Sequence, residues 1–423
     1  MNTIKLSLRD RLLEIIIWLH MIIWLFTIPI AQVQMILFGR RILTLFNFGI
    51  VEGLVLCFLF LSSKKLVIDR LSRSTLYLIS IMVFILLICF IINSNVDLYW
   101  RIYFVVYWIM PLLVIVSSNQ CKINLHKLLL PLLIIIVVHA VFVILQNQWN
   151  SIIWPYKYDD TGEAFFYIGE GYYNTATKMT RCPGICMSGL DAGLLLVFGI
   201  IIIMIYPRIK RWIKCCLFLL FLVAIWFTGT RNIFILVIFI LGYFGISRYT
   251  QGKMQKILYI FLPVFSALIY TGIFYYLSSN YTATANILTD TSSAGIRTKV
   301  WETVWNKILE GNILQILFGF NIWQKAGTSL LIDNMYLELL MVGGFFVLFC
   351  FCGYLLFLPK KLGIIGEKHF TVLSAFISGA FLYGVANVIG NYYITLILVS
   401  IIIIKNKEQL FLEEKNESHI CYK

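Results

Sequence analysis

The chain has 423 residues, 61% of them hydrophobic and only 13% charged, where a soluble domain carries about 25% charged residues. With a mean hydropathy of +0.89, no water-soluble core can absorb this much apolar surface, so a soluble globule is excluded and the bilayer becomes the solvent. The formal charge of +14 does not point to nucleic acid, because positive-inside bias and attraction to anionic headgroups account for it in a membrane chain.

In chain order, apolar runs predict about twelve transmembrane helices, at 12–30, 42–62, 75–93, 101–117, 128–146, 189–206, 214–229, 232–248, 257–277, 335–358, 369–388 and 390–404. The first follows Lys5, Arg9 and Arg11. It is longer than the apolar region of a signal peptide and no small-residue cleavage site follows, so it reads as an uncleaved helix. Basic residues cluster in every second gap: Lys64, Lys65, Arg70 and Arg73; Lys122 and Lys127; Arg208, Lys210, Arg211 and Lys214; Arg248, Lys253 and Lys256; Lys360, Lys361 and Lys368. That alternation assigns those gaps, both termini and the tail at 405–423 to the cytoplasmic side. The expected fold is all-α, a polytopic integral membrane protein with a single transmembrane domain over 1–423 and two long outward loops, about 147–189 and 278–334.

The first outward loop is rich in aromatics, among them Trp149, Trp154, Tyr167, Tyr172 and Tyr173. Its adjacent carboxylates Asp159 and Asp160 read as solvated neighbours. The absence of Asp-x-Asp in the outward loops argues against metal-assisted nucleotide-sugar chemistry. Cys182 and Cys186 are either a disulfide on an oxidising face or two free thiols. Arg181 precedes a Pro183-Gly184 turn that can aim its guanidinium back at the membrane surface; the alternative is an ordinary loop arginine.

Arg231 lies in a very short turn between two apolar runs, on the predicted outward face. An ionisable group at that depth is costly, and binding of phosphate oxygens would account for it. Snorkelling to headgroups or capping of the preceding helix is the alternative. In the second outward loop, Val300, Val304 and Ile308 form one helical stripe with Trp301, Trp305 and Leu309 beside it, which predicts a helix lying along the membrane surface. Arg297 and Lys299 open that stretch, where a helix N-terminus attracts anions; the alternative for Arg297 is a surface cation meeting lipid phosphate. Asp333 and Asn334 precede the tenth helix; Asp333 is a candidate general base or a simple helix cap. Glu338 falls within the first helical turns and must face protein or water there. Gly343 and Gly344 permit close packing. Glu14, Glu52 and Asp191 read as polar contacts between helices or at the interface. The five histidines show no ligand spacing, so no metal site and no cofactor are expected.

Three segments carry a resemblance: Thr228-Gly229-Thr230-Arg231-Asn232; Gly295-Ile296-Arg297 through Trp301 to Leu317-Phe318-Gly319-Phe320; and Asp333-Asn334-Met335-Tyr336-Leu337 followed by Gly343-Gly344. Together with the large loop before the tenth helix, they resemble the bacterial O-antigen polymerase and O-antigen ligase group of polytopic membrane glycosyltransferases. Ligases carry a histidine where this chain has Asp333, and polymerases often carry an aspartate, so the polymerase is expected. A ligase, or a flippase or transporter for lipid-linked sugars, is the alternative. The resemblance implies a metal-independent transfer in the bacterial inner membrane, between a glycan donor and a repeat-unit acceptor that are both linked to undecaprenyl diphosphate. A chain-length regulator protein is a candidate partner, and no nucleic acid is expected. It implies Asp333, Arg231 and Arg297 as catalytic residues, with Arg181, Lys299, Tyr336 and Glu338 expected to hold substrate.

Overall fold

A computed structural model describes residues 8–26, 30, 33–34, 37–39, 42, 45–61, 69–92, 105–118, 125–148, 172–174, 179–186, 189–205, 209–250, 253–279, 292–320, 332–362, 368–385, 397 and 401. The helices are α1 (Leu8–Leu25), α2 (Leu45–Leu61), α3 (Arg70–Ile92), α4 (Met110–Ser118, entered through a π-helical turn at Val105–Ile109) and α5 (Leu125–Gln148). A hairpin follows, β1 (Tyr172–Asn174) and β2 (Met179–Arg181), antiparallel with Tyr172 opposite Arg181. Then come α6 (Gly189–Ile205), α7 (Arg211–Phe227), α8 (Arg231–Tyr249), α9 (Lys253–Ser279), α10 (Ser292–Leu309), α11 (Ile313–Phe318), α12 (Met335–Lys361) and α13 (Lys368–Tyr383).

Among the described residues, the all-helical expectation holds apart from that small hairpin. Four stretches among the described residues are long and apolar enough to cross a membrane: Arg70–Cys89, Leu129–Asn147, Ile257–Ser278 and Met335–Lys361. Shorter apolar helices lie at Asn47–Leu59, Gly189–Met204, Arg231–Ser247 and Leu373–Tyr383. The last expected helix, 390–404, lies outside the described residues except for 397 and 401, and the tail at 405–423 lies wholly outside them. So do Asp159, Asp160 and most of the aromatic loop.

The chain packs as two compact units. The first comprises Met1–Lys64, Gln120–Val237 and Thr395–Lys423; the second comprises Lys65–Asn119 and Ile238–Ile394. In the first, α1 packs on α2, and α5, α6 and α7 pack on one another. His20 Nδ1 lies 2.8 Å from Glu52 Oε1, with both side chains fully buried. Glu52 is therefore a polar contact between helices, one of the roles its place in an apolar run allowed. Removing one member leaves a buried polar atom of the other without its hydrogen-bond partner, which costs about 1–3 kcal/mol.

In the second unit, α3 packs along α12, and α9 packs on α13. The apolar stripe Val300, Val304 and Ile308 is buried, in a cluster with Phe320, Ile332, Leu340 and Met341. Trp301 is 2% exposed and stacks on Phe274 with centroids 5.0 Å apart. The stripe therefore faces protein. What α10 leaves open are Trp305 and Leu309, a quarter-turn or more away from it. Periodicity alone finds an amphipathic face but does not say whether lipid or protein covers it.

Gly344 breaks α12. Its φ of 65° and ψ of −167° are not helical, and a Cβ there would lie 2.3 Å from the Leu317 carbonyl carbon and oxygen. The break lets backbone lie directly on backbone: Phe320 N–H donates to Met341 O at 2.7 Å. Gly319, at φ 91°, makes the matching approach to Val342 and Gly343. The paired glycines thus serve a loop-on-helix contact. Gly344→Ala meets both a left-handed backbone and a backbone clash, and should destabilise the protein by about 1–3 kcal/mol. The check is thermal unfolding in detergent beside Gly353→Ala, a helical glycine whose added Cβ meets nothing within 4 Å and which should be nearly silent.

Candidate functional site

The first unit builds a braced turn around Arg231. Helix α7 ends in Thr228, whose N–H reaches the carbonyls of Ala224 and Ile225 at 3.2 and 3.1 Å and whose hydroxyl donates to Ile225 O at 2.8 Å. Gly229 turns the chain at φ 61°, Thr230 Oγ1 donates to Thr228 O at 3.1 Å, and α8 begins at Arg231. Arg231 is half-buried, on the first turn of its helix. Helix α6 starts against this turn. A Cβ on Gly189 would lie 2.4 Å from Thr228 O, and one on Gly193 would strike Ile233.

The segment after Arg181 is tied to the same place. Cys182 N–H donates to Phe227 O at 3.1 Å. Gln146 grips Gly184 at both ends: its Nε2 donates to Gly184 O at 2.9 Å, and Gly184 N–H donates to its Oε1 at 2.7 Å. Ile185 N–H donates to His139 Nδ1 at 3.2 Å, and His139 Nε2 lies 3.3 Å from Ala192 O. These partners assign the imidazole hydrogen to Nε2. The backbone of Arg181 is thus anchored near that of Arg231; the Arg181 side chain lies outside the described residues. Gln146 and His139 were not singled out from sequence. Each is a polar residue inside an apolar run, and that signal alone could have flagged them.

Cys182 and Cys186 are reduced cysteines with no disulfide, 0% and 1% exposed. Burial pushes the Cys182 thiol up to about 12. Burial first, then the charge of Asp191, raises Cys186. Both thiols remain protonated, and hence weak nucleophiles, throughout the neutral range.

The second unit joins two of the three motif segments. Arg297 Nε donates to Asp333 Oδ2 at 3.0 Å, with the side chains 26% and 37% exposed. A pair this open contributes about 0–1 kcal/mol to stability, so its consequence is positional. It places the guanidinium carried by α10 beside the carboxylate that precedes α12. Asp333 does not cap α12. Asn334 does: its side chain accepts from Leu337 N–H at 3.0 Å, and its Nδ2 donates to Val385 O at 2.8 Å. Met335 N–H donates to Gly384 O at 2.8 Å. The helix start is therefore bolted to the end of α13, and the Asp333 carboxylate is left to Arg297.

The expected substrate-holding residues divide. Lys299 is exposed on α10. Tyr336 spends its hydroxyl hydrogen inside the fold, on Phe381 O at 2.7 Å. Glu338 is 1% exposed, and neither carboxylate oxygen has a hydrogen-bond partner among the described residues. Trp301, one helical turn after Arg297, is buried with its indole N–H likewise unpartnered. Among the described residues, no group of three or more His, Cys, Asp or Glu side chains is placed to hold a metal ion. Arg231 belongs to the first unit, and Arg297, Asp333 and Glu338 belong to the second.

No protein-family model matches the chain, and neither does a curated protein or a solved structure.

The buried thiols give a direct check on the braced turn. In native membranes, Cys182 and Cys186 should resist a maleimide from pH 7 to roughly pH 9, and label only after denaturation. Prompt labelling of either at pH 7 contradicts the packing described.

Proposed function

We propose that the chain is a metal-independent polysaccharide polymerase of the O-antigen polymerase kind. It joins repeat units carried on undecaprenyl diphosphate at the outer face of a bacterial inner membrane. On this reading it crosses the membrane about twelve times, with both termini in the cytoplasm, and a chain-length regulator is a candidate partner. The reading rests on the sequence resemblance, the apolar helices, and one observation above the rest: the ion pair between Arg297 and Asp333. It brings the arginine of one motif segment onto the aspartate of another.

The chemistry fits those groups. The terminal hydroxyl of the acceptor sugar attacks the anomeric carbon of the donor. Its oxygen forms the new bond, and the bond from the anomeric carbon to the phosphate oxygen breaks. The electron pair leaves with the lipid diphosphate, and the hydroxyl proton passes to Asp333. Arg297 meets Asp333 through Nε, which leaves its two terminal amino groups for phosphate oxygens. Positive charge fixed beforehand near a developing diphosphate lowers the barrier without reorganisation. Arg231, in the first unit, is assigned a phosphate-binding role on the sequence resemblance alone.

The test is chain growth in proteoliposomes supplied with lipid-linked repeat units and no ion gradient. Wild type should lengthen the glycan, where a carrier would not. Arg231→Ala and Arg297→Lys should each lower the rate by about 100-fold or more, with folded protein recovered in normal yield. Full activity in both variants overturns the assignment. No chain growth by wild type, with transfer to a different acceptor, supports a ligase instead.

A further inference from the structure

At one end of the second unit, α3 and α12 enclose a groove of about 580 Å³ that the proposed reaction does not use. The two helices run antiparallel there, since the first residue of α3, Arg70, and the last of α12, Lys361, line the same space. Thr75 Oγ1 and Tyr354 OH lie 2.9 Å apart and lock the floor. Three cations, Arg70, Lys360 and Lys361, stand at the mouth. One carboxylate lies beside them: Asp69 accepts from Ser72 N–H at 2.7 Å and caps α3.

From that mouth the groove runs to Ile81 and Cys350, eleven residues of helix or about 16 Å. Its walls are apolar and open. Tyr77 is 65% exposed, Phe357 50% and Ile81 37%. Gly353 lies on the lining, and a Cβ there would meet nothing within 4 Å. Both helices are long and apolar enough to cross a membrane. A charged mouth on an apolar trough is the shape of an amphiphile with an anionic head.

Helix electrostatics accounts for only part of the cluster. Lys360 and Lys361 complement the negative end of α12, while Arg70 stands at the positive end of α3 beside the capping carboxylate of Asp69. Three cations against that one carboxylate leave the mouth with a surplus of positive charge, which an anionic headgroup would offset. We propose that this groove binds an anionic phospholipid. Arg70, Lys360 and Lys361 hold its phosphate, and one acyl chain lies along Tyr77, Ile81 and Phe357 over Gly353. The positive-inside pattern assigns both of these helix ends to the cytoplasmic face, so the ligand is a lipid of that leaflet. The proposal stands whether or not the polymerase reading does.

The experiment uses the full chain in detergent and follows thermal stability and native mass against added lipid. Phosphatidylglycerol should stabilise the protein and be retained as a discrete adduct, whereas phosphatidylcholine and inorganic phosphate should do neither. Lys360→Gln combined with Lys361→Gln should weaken the phosphatidylglycerol response roughly thirtyfold, as expected for two lost surface cations. Gly353→Leu keeps every charge, adds a Cβ that meets nothing within 4 Å, and should abolish the discrete adduct by filling the trough. Equal responses to the two lipids overturn the proposal. So does an unchanged response in either variant. Reproduction of the effect by inorganic phosphate alone also overturns it, because the groove would then be a simple anion site.

Discussion

A guanidinium and a carboxylate 3.0 Å apart set the geometry on which the proposed chemistry depends. The pair is too open to matter much for stability. It matters because each partner is held from behind. Arg297 rides on α10, whose stripe Val300, Val304 and Ile308 is buried against the start of α12 and the Phe320 loop. Asp333 precedes a helix start that Asn334 caps and ties to Val385. Two rigid supports deliver two charged groups to one place, and neither side chain is spent on the scaffold.

The same economy appears around Arg231. The turn that carries it is closed by its own hydroxyls and by Gly229, then covered by the start of α6 and by the strap from Cys182 to Cys186. Gln146 and His139 hold that strap from within α5. Neutral hydrogen bonds do the holding, which suits a setting where unpaired charge is expensive. At these described places in both units, irregular backbone is satisfied by other backbone or by a buried amide.

Much of the fold was legible because apolar runs in a membrane chain have one dominant outcome. The run at 189–206 became Gly189–Ile205, and the run at 232–248 became Arg231–Tyr249. The break at Gly344 was not legible. Glycine pairs fit helix packing as well as a helix interruption, and only the approach of Leu317 to Phe320 decides between them. For the site, the candidate arginines and Asp333 stood out as charges beside apolar runs. Their pairing did not, because 36 residues separate Arg297 from Asp333. The capping role went to Asn334 although Asp333 was equally suited by type; the tie from Asn334 to Val385 is a tertiary fact that local preference does not contain. The buried strap at Cys182 and Cys186 was likewise open, since a loop cysteine pair fits a disulfide or two thiols equally well.

The central claim is that Arg297 and Asp333 act as one unit, and a double-mutant cycle on chain growth tests it most directly. Arg297→Gln, Asp333→Asn and the combined variant would be compared with wild type in proteoliposomes, with turnover and apparent substrate affinity measured separately. If the two residues form one centre, the combined loss is close to that of either single variant and far short of their product. If the two losses simply multiply, the groups act independently, and the contact between α10 and the start of α12 is not a reaction centre.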